Sequence, residues 1–373
     1  MKIPIFKLDF DDNFIKEYQD KCFDIFRSNR SLSECYYTKK FEDKFKQLVN
    51  SKYSCSVTSG TAAIDLALRA LEVKGKVIVP INTFFATSVA VESAGCEVEF
   101  IDIEPNTFSI DPLLLEDKLK TQSIGAVIIV HIGGIISDYM HEIKRICNKY
   151  NVPLIEDAAH AHLSSRNDQW AGTIGDIGCF SFFPTKVMTT GEGGMVTTNN
   201  ETIFKRMKSL KNFGRDLENG GICLTKNGVN YKINEFTGAL GLQECERIEG
   251  RVDKRNKLVN RYLKNLKNTE YEPIIQKTGY CSYYKFITMI PKNIEREWLR
   301  DYCKQAGITL TGEVYKIPLH HQPVYSNFKN NSYPVAEYIC FNHICPPLYP
   351  ELTLEEVDYI CEILIKARED YEK

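Results

Sequence analysis

This sequence has no excess of positive charge. Its 47 lysines and arginines are slightly outnumbered by 49 aspartates and glutamates, which gives a formal net charge of -2. A nucleic-acid binder normally carries a basic face, so this balance argues against a nucleic-acid partner. It does not exclude a phosphorylated ligand, because the free N–H groups at a helix N-terminus bind phosphate without net positive charge.

Long apolar runs are also missing. The longest apolar stretch, residues 126–136, contains His131 and two glycines. It is too short to span a bilayer and is typical of a buried strand with its exit turn. Acidic residues stand near the N-terminus, where a signal peptide would need an apolar run. We therefore expect a cytoplasmic protein without a membrane partner.

Three site motifs are absent. The 13 cysteines include no Cys-x-x-Cys pair, which favours reduced core cysteines. No Gly-x-Gly-x-x-Gly follows the first strand, which argues against a dinucleotide site. His160 and His162 are two positions apart instead of the four that suit metal ligands on a helix, and His320 and His321 are adjacent in a loop. We expect no metal site.

The order of apolar segments indicates the fold class. Strand-like segments alternate with helical patterns, and they are apolar throughout; they lie at residues 54–58, 76–79, 97–101, 126–130, 152–155, 177–183 and 195–198. This pattern predicts an α/β domain with a mostly parallel sheet flanked by helices. We assign it to residues 1–245, with an N-terminal helical segment at 12–50. A long charged helix at 245–266 opens a smaller α+β domain over residues 246–373.

Ligands of open α/β sheets bind beyond the carboxyl ends of the strands. Ser59, Gly60 and Thr61 follow the first strand, where a glycine turn into a helix makes an anion site; an ordinary N-cap at Ser59 is the alternative. Asp157 follows a buried strand, where an unpaired carboxylate is costly. That position suits a carboxylate that holds a cofactor cation, and a helix cap is the alternative.

Two further strand ends carry candidate residues. Lys186 lies between an aromatic strand and a glycine-rich turn, where partial burial would favour the neutral amine needed for a Schiff base; a surface lysine is the alternative. Phe84 and Phe85 follow the second strand, where an aromatic ring can cover a planar ligand. A core position is the alternative, for Phe85 in particular.

Seven segments in this order resemble the DegT/DnrJ/StrS-type sugar aminotransferases, a branch of the fold type I enzymes that depend on pyridoxal 5'-phosphate (PLP). The likeness runs from about residue 41 to the C-terminus. The segments are SGTAAIDLALRAL, VIVPINTFFATSVAV, FIDIEPNTFSID, EDAAHAH, GDIGCFSFFPTKVMTTGEGG, GVNYKINEFTGALGLQ and PLHHQPVY.

The resemblance implies a role for each matching residue. Lys186 corresponds to the Schiff-base lysine and proton carrier, and Asp157 to the acid that pairs with the pyridine nitrogen. The matching cofactor contacts are Phe84 on the ring face, His160 at the ring hydroxyl, Gly60, Thr61 and Ser181 at the phosphate, and Asn230 at the phosphate of the partner subunit. A homodimer with shared active sites is thereby implied.

The resemblance also implies the substrates. The family's usual donor is glutamate, and its usual acceptor is a nucleotide-linked 3- or 4-keto-6-deoxy sugar, aminated for surface polysaccharide or glycoconjugate. Tyr315, His320 and His321 lie where acceptor contacts are expected. A cyclitol ketone or a small keto-phosphate is the alternative acceptor. A non-enzymatic regulator on the same scaffold is a second alternative, but it would be expected to lose Lys186 or Asp157.

Overall fold

The structure is a computed structural model that describes residues 2–216 and 219–371. Its α-helices are α1 Asp12–Arg27, α2 Tyr36–Leu48, α3 Gly60–Ala70, α4 Phe85–Ser93, α5 Pro112–Thr121, α6 Met140–Lys149, α7 Glu201–Leu210, α8 Glu235–Asn265, α9 Arg296–Gln305, α10 Pro334–Phe341 and α11 Leu354–Tyr371. Its strands are β1 Tyr53–Val57, β2 Lys76–Pro80, β3 Glu97–Ile101, β4 Ile124–Val130, β5 Leu154–Asp157, β6 Ser165–Arg166, β7 Gln169–Trp170, β8 Ile177–Ser181, β9 Gly194–Thr198, β10 Glu272–Ile274, β11 Ile287–Met289 and β12 His343–Ile344.

A seven-stranded sheet in the order β1-β9-β8-β5-β4-β2-β3 forms the centre of the larger part. The neighbouring pairs from β8 to β3 are parallel, whereas β9 is antiparallel to both β1 and β8. The strands other than β9 therefore end at one common edge. The sequence prediction of a mostly parallel α/β sheet is confirmed.

Helices cover both faces of this sheet, which explains why its strands are apolar throughout. On strand β4, Val127 and Ile129 pack into one buried cluster, and Ile128 and Val130 pack into the other. Every residue of β8 and β9 is buried. A sheet that is fully covered in this way leaves its strand ends as the places where polar side chains reach solvent.

The C-terminal part has a core of its own. Strands β10, β11 and β12 form an antiparallel sheet, and α9 and α11 contribute to a third apolar cluster beside it. No helix among the described residues is long and apolar enough to cross a membrane.

Helix α8 links the two parts without a break. The sequence placed its start at residue 245, but the helix begins at Glu235, where the Asn234 side chain caps the amide of Thr237. Gly241 lies in this first part because a Cβ there would come within 2.6 Å of the Phe41 ring of α2. The predicted domain boundary at 245 falls inside α8, and the division into two domains stays a prediction.

Candidate active site

A cavity of about 580 Å³ opens at the common edge of the strands. Its walls include Gly60, Thr61, Phe84, Asp157, His160, Ser181, Lys186 and Tyr315, all of which the sequence singled out. They come from segments that are far apart in the chain and meet because the parallel strands end together. Such a volume suits a cofactor with part of a substrate.

The N-terminus of α3 forms one corner of the cavity. Ser59 caps the helix, with its Oγ accepting from Ala62 N at 3.1 Å and its carbonyl accepting from Ala63 N at 3.0 Å. The first amides of a helix have no acceptor within it, so those of Gly60 and Thr61 remain for a ligand. A Cβ at Gly60 would lie 2.7 Å from Cβ of Ser181, so only glycine lets the helix start approach that serine. The corner suits a phosphate group.

Asp157 lies at the carboxyl end of β5, and two hydrogen bonds fix the orientation of its side chain. Thr87 Oγ1 donates to its Oδ2 at 2.8 Å, and Ala159 N donates to its Oδ1 at 3.2 Å. Burial raises the pKa of this carboxyl, against the opposing effect of these hydrogen bonds and of Lys186. A cation bound beside Asp157 would favour the ionised form.

The neighbouring carboxylate, Glu156, has a different task. It is fully buried, its Oε2 lies 2.8 Å from His131 Nε2, and it accepts hydrogen bonds from the amides of Gly172 and Ile174. Consecutive strand residues point to opposite faces of a sheet. Glu156 therefore fixes the loop on one side, while Asp157 lines the cavity on the other.

Lys186 lies on the connection between β8 and β9, where its amide donates to Phe183 O at 2.9 Å. The side chain is partly buried, as the sequence predicted, and its Nζ lies 4.7 Å from the ring centroid of Tyr284. Burial lowers its pKa to about 8; Asp157 opposes that effect and Lys285 adds to it. A sizeable fraction of the Lys186 amine is therefore neutral near pH 8, as a nucleophile or base requires.

The ring of His160 is held in one tautomer. Gly133 N donates to Nδ1 at 3.3 Å, so the neutral ring carries its proton on Nε2. Burial and the nearby lysines push the pKa of His160 well below its usual value. The ring stacks on Tyr284 at 4.2 Å, and Nε2 lies 3.3 Å from the hydroxyl of Tyr315.

Aromatic side chains surround the opening of the cavity. Phe84 is 45% exposed, and its ring lies 5.8 Å from that of Tyr315. Phe85 is 50% exposed and packs on Phe84, so the interpretation of Phe85 as a core residue is wrong. An exposed aromatic at a cavity wall can cover a planar ligand ring.

Three residues named from the sequence lie outside the cavity lining. Asn230 is exposed, and its Oδ1 accepts from Lys232. His320 is buried, with Nε2 at 3.0 Å from Glu337, and His321 is exposed beside it. The ligand atoms of His320, His321 and Glu337 lie within 4.8 Å of one another. The assignment of the two histidines to the acceptor stays a prediction.

The sequence missed other residues of the cavity. Thr87, which orients Asp157, lies within the segment VIVPINTFFATSVAV and has no motif of its own. Tyr284 and Lys285 come from the C-terminal part and Glu192 from the turn after Lys186, and all three line the cavity. No motif marks Lys285, because its place depends on how the C-terminal part packs on the sheet edge.

The donor set fits PLP. The corner at Gly60, Thr61 and Ser181 would hold its phosphate, Asp157 would face its ring nitrogen, and Lys186 would meet its aldehyde. These three features occupy one cavity.

Comparison with known proteins supports this fit. The chain matches the DegT/DnrJ/EryC1/StrS aminotransferase family over residues 13–365. It is 33% identical over 353 residues to the GDP-perosamine synthase of Escherichia coli O157:H7, a match that spans 93% of each chain. It is 31% identical over 343 residues to the dTDP-3-amino-3,6-dideoxy-alpha-D-galactopyranose transaminase of Aneurinibacillus thermoaerophilus, over 90% of this chain and 92% of the relative.

The fold has a close counterpart among solved structures. The PLP-form of Spr1654 from Streptococcus pneumoniae, a candidate sugar aminotransferase, superimposes with a TM-score of 0.89 at 26% identity and covers 100% of both chains. The cofactor and fold expected from the sequence are thereby confirmed. This chain belongs to the DegT/DnrJ/EryC1/StrS aminotransferase family and is a PLP-dependent transaminase of fold type I.

Proposed function

We propose that this transaminase moves an amino group from glutamate to a nucleotide-linked keto-sugar, a 3- or 4-keto-6-deoxy hexose, to make amino sugars for surface polysaccharide or glycoconjugate. The observation that carries the chemistry is a single cavity that joins a lysine of lowered pKa to a buried aspartate and a free helix N-terminus. The acceptor class is supported by the relatives named above, which are a GDP-sugar enzyme and a dTDP-sugar enzyme.

When bound, PLP supplies an aldehyde that condenses with amines and a ring that accepts the electron pair of a broken C–H bond. With PLP bound, Lys186 would hold its aldehyde, and the Lys186 Nζ would carry the substrate proton between the reacting atoms. Because its pKa is lowered, part of the Lys186 amine is neutral and able to accept that proton.

Asp157 would keep a proton on the ring nitrogen of bound PLP. Its two oxygens are already fixed by Thr87 and Ala159, so little reorganisation is needed when a cation arrives. The Nε2–H of His160 would donate to the ring hydroxyl, since Nδ1 accepts from Gly133 N. Phe84 lines the same cavity, where it would cover one ring face and limit the access of water.

The acceptor is tested with a panel of ketones. Purified holoenzyme is mixed with glutamate and with GDP-, dTDP- and UDP-linked 3- and 4-keto-6-deoxy sugars, a cyclitol ketone and a small keto-phosphate, and the aminated products are identified by mass spectrometry. Amination of a nucleotide-linked sugar at the highest kcat/KM supports the proposal. Preference for the cyclitol ketone or the keto-phosphate would overturn the acceptor assignment.

A homodimer with shared sites is part of the proposal. Asn230 is exposed and lies outside the cavity of its own chain, as expected of a residue that reaches the partner's phosphate. We expect Asn230→Ala to weaken PLP binding by about 1.5–3 kcal/mol, the scale of a hydrogen bond to a charged group. Fluorescence titration with PLP measures the loss, and Asn227→Ala on the same exposed segment is the control.

The oligomeric state and the PLP affinity together test the shared site. A dimer in light scattering with weaker PLP binding in Asn230→Ala alone supports the shared site. A monomeric protein with full activity would contradict it.

A further inference from the structure

The cavity contains a second lysine that the cofactor chemistry does not use. Lys285 lies just before β11 and lines the cavity, with its Nζ 5.2 Å from the ring centroid of Tyr284. Lys186 Nζ lies 4.7 Å from the same centroid. The two nitrogens are therefore less than about 10 Å apart, since both lie near one aromatic ring.

The segment that carries Lys285 is held in place. Arg255 donates to the carbonyls of Tyr283 and Tyr284 at 3.2 and 3.4 Å, and Lys285 N lies 3.4 Å from Gly133 O. Arg255 is itself buried. A side chain on so firmly held a backbone can present its charge in a fixed direction.

The charge of Lys285 has no ion-pair partner among the described residues. The nearby acid, Glu313, has its Oε1 3.7 Å from Arg300 Nε instead. Burial lowers the pKa of Lys285, with smaller opposing contributions that include Glu313. A partly buried ammonium without a counter-ion is costly, and an anionic ligand would offset that cost.

The remaining polar groups of the cavity narrow the choice of anion. The phosphate corner at Gly60 and Ser181 lies on α3 and β8 of the large sheet, whereas Lys285 comes from the C-terminal part. If the phosphate lies there and Asp157 faces the ring nitrogen, Lys285 is the lysine among the described lining residues whose charge has no assigned role. A Cβ at Gly312 would lie 3.2 Å from Lys285 Nζ, so the glycine there keeps space beside the ammonium.

We propose that Lys285 binds a carboxylate of the amino-acid donor and thereby selects an amino acid over a neutral amine. This inference rests on the proposed function. The donor is favoured as the source of the anion because a carboxylate of an amino acid is only a few bonds from the reacting nitrogen. The phosphates of a nucleotide sugar are separated from the reacting carbon by the sugar ring.

A matched pair of small amines tests the inference. Aminooxyacetate and methoxyamine react alike with bound PLP, but only aminooxyacetate has a carboxylate. The probe is the loss of visible absorbance of the holoenzyme. We expect Lys285→Met to lower the rate of reaction with aminooxyacetate by about 10- to 100-fold, the range of a hydrogen bond to a charged group. The rate of reaction with methoxyamine should stay unchanged.

Glutamate provides the second measurement. In the donor half-reaction, Lys285→Met raises the half-saturating glutamate concentration by the same factor and keeps the limiting rate within about threefold, since the contact is made in both ground and transition states. Lys292→Met, an exposed lysine after β11, is the matched control. Lys285→Gln, which keeps a polar side chain, serves if the methionine variant loses PLP or fails to fold.

The outcomes separate the two proposals. An unchanged ratio of aminooxyacetate to methoxyamine rates with unchanged glutamate saturation would overturn the inference, and so would a loss confined to the acceptor ketone. The small-amine experiment needs no acceptor, so failure of every keto-sugar would refute the proposed function and leave this result standing.

Discussion

Two regions of this protein bury a lysine, with opposite results. Lys186 lies in the active-site cavity without an ion pair among the described residues, and burial lowers its pKa to about 8. Lys211 lies at the end of α7, and its side chain is 1% exposed. Both ammonium groups lose water, so burial alone does not explain the difference.

The partners explain it. Lys211 Nζ pairs with Glu34, lies 3.2 Å from a Glu42 oxygen and donates to the Ser56 carbonyl at 3.0 Å. Burial opposes its charge, but Cys55, Glu42 and Glu34 together raise its pKa above the usual value. Lys186 faces Asp157 without such contacts. A lysine surrounded by acceptors keeps its charge, whereas a lysine left without them is more readily neutral, as the role proposed for Lys186 requires.

The largest expected effect is the loss of Lys186. Lys186→Ala should lower the transamination rate by about 1,000-fold or more, since it removes both the covalent attachment and the proton carrier. Borohydride trapping followed by peptide mass spectrometry should show no attached PLP. Exposed Lys292→Ala is the control, and labelling at another lysine in Lys186→Ala would contradict the assignment.

Lys211→Met should leave the chemistry and damage the fold. Breaking a buried ion pair leaves Glu42 with only the more distant Lys208, 4.0 Å away, which costs about 3–5 kcal/mol of unfolding free energy. Urea unfolding measures the loss. Adding Glu42→Gln should recover part of it because the stranded charge is gone. A loss below about 1 kcal/mol would mean that the cluster has no stabilising role.

The carboxylate that faces Lys186 gives the next effect. Asp157→Asn keeps the size of the side chain but removes its charge, so the ring nitrogen would no longer be kept protonated. The donor half-reaction should slow by about a hundredfold, roughly 3 kcal/mol, with PLP still bound. Asparagine is as good a helix cap as aspartate, so a near wild-type rate would favour the capping role instead.

The smallest expected effect is that of replacing Lys186 on the free energy of unfolding of the apoprotein. Its sign is opposite to that of replacing Lys211. The folded-state pKa of Lys186 is about 8 against an ordinary 10.5, so between these pH values the unfolded chain binds more protons. Stability of the apoprotein should therefore rise with pH across this window, and the full penalty is present below it.

Replacing Lys186 should remove that penalty. At pH 7, Lys186→Met should stabilise the apoprotein by about 1–3 kcal/mol, with the advantage shrinking between pH 8 and 10.5. The difference between variant and wild type in urea unfolding at each pH isolates this lysine. A variant that is less stable at pH 7 would contradict the comparison.

The sequence predicted the sheet better than the contacts around the site. Apolar runs and turn residues placed β3 at its observed bounds and most other large-domain elements within a few residues. Helices α7 and α10 were not predicted, and the predicted start of α8 is too late, since Gly238 and Gly241 weaken helix propensity. Those glycines contact α2, which no local pattern reveals.

The same limit applies to the site. The strand ends predicted Gly60, Asp157 and Lys186, because a parallel sheet brings its carboxyl ends together. Thr87 and Lys285 could not be predicted, since their importance depends on a hydrogen bond and on packing between distant segments. Family likeness suggested His160, but its tautomer follows from the amide of Gly133, which only the structure shows.

Helix α8 also sets where this chain can be recombined with a relative. Its first part packs into the core of the large sheet through Ile248 and Val252, and its last part packs into the C-terminal core through Val259 and Tyr262. A crossover between Val252 and Leu258 would keep each part of the helix with the core of its own parent, because the first part stays with the large sheet and the last part with the C-terminal core. Exchange of the C-terminal part therefore favours a junction inside α8, since a junction after Asn265 would leave Val259 and Tyr262 of one parent against the C-terminal core of the other.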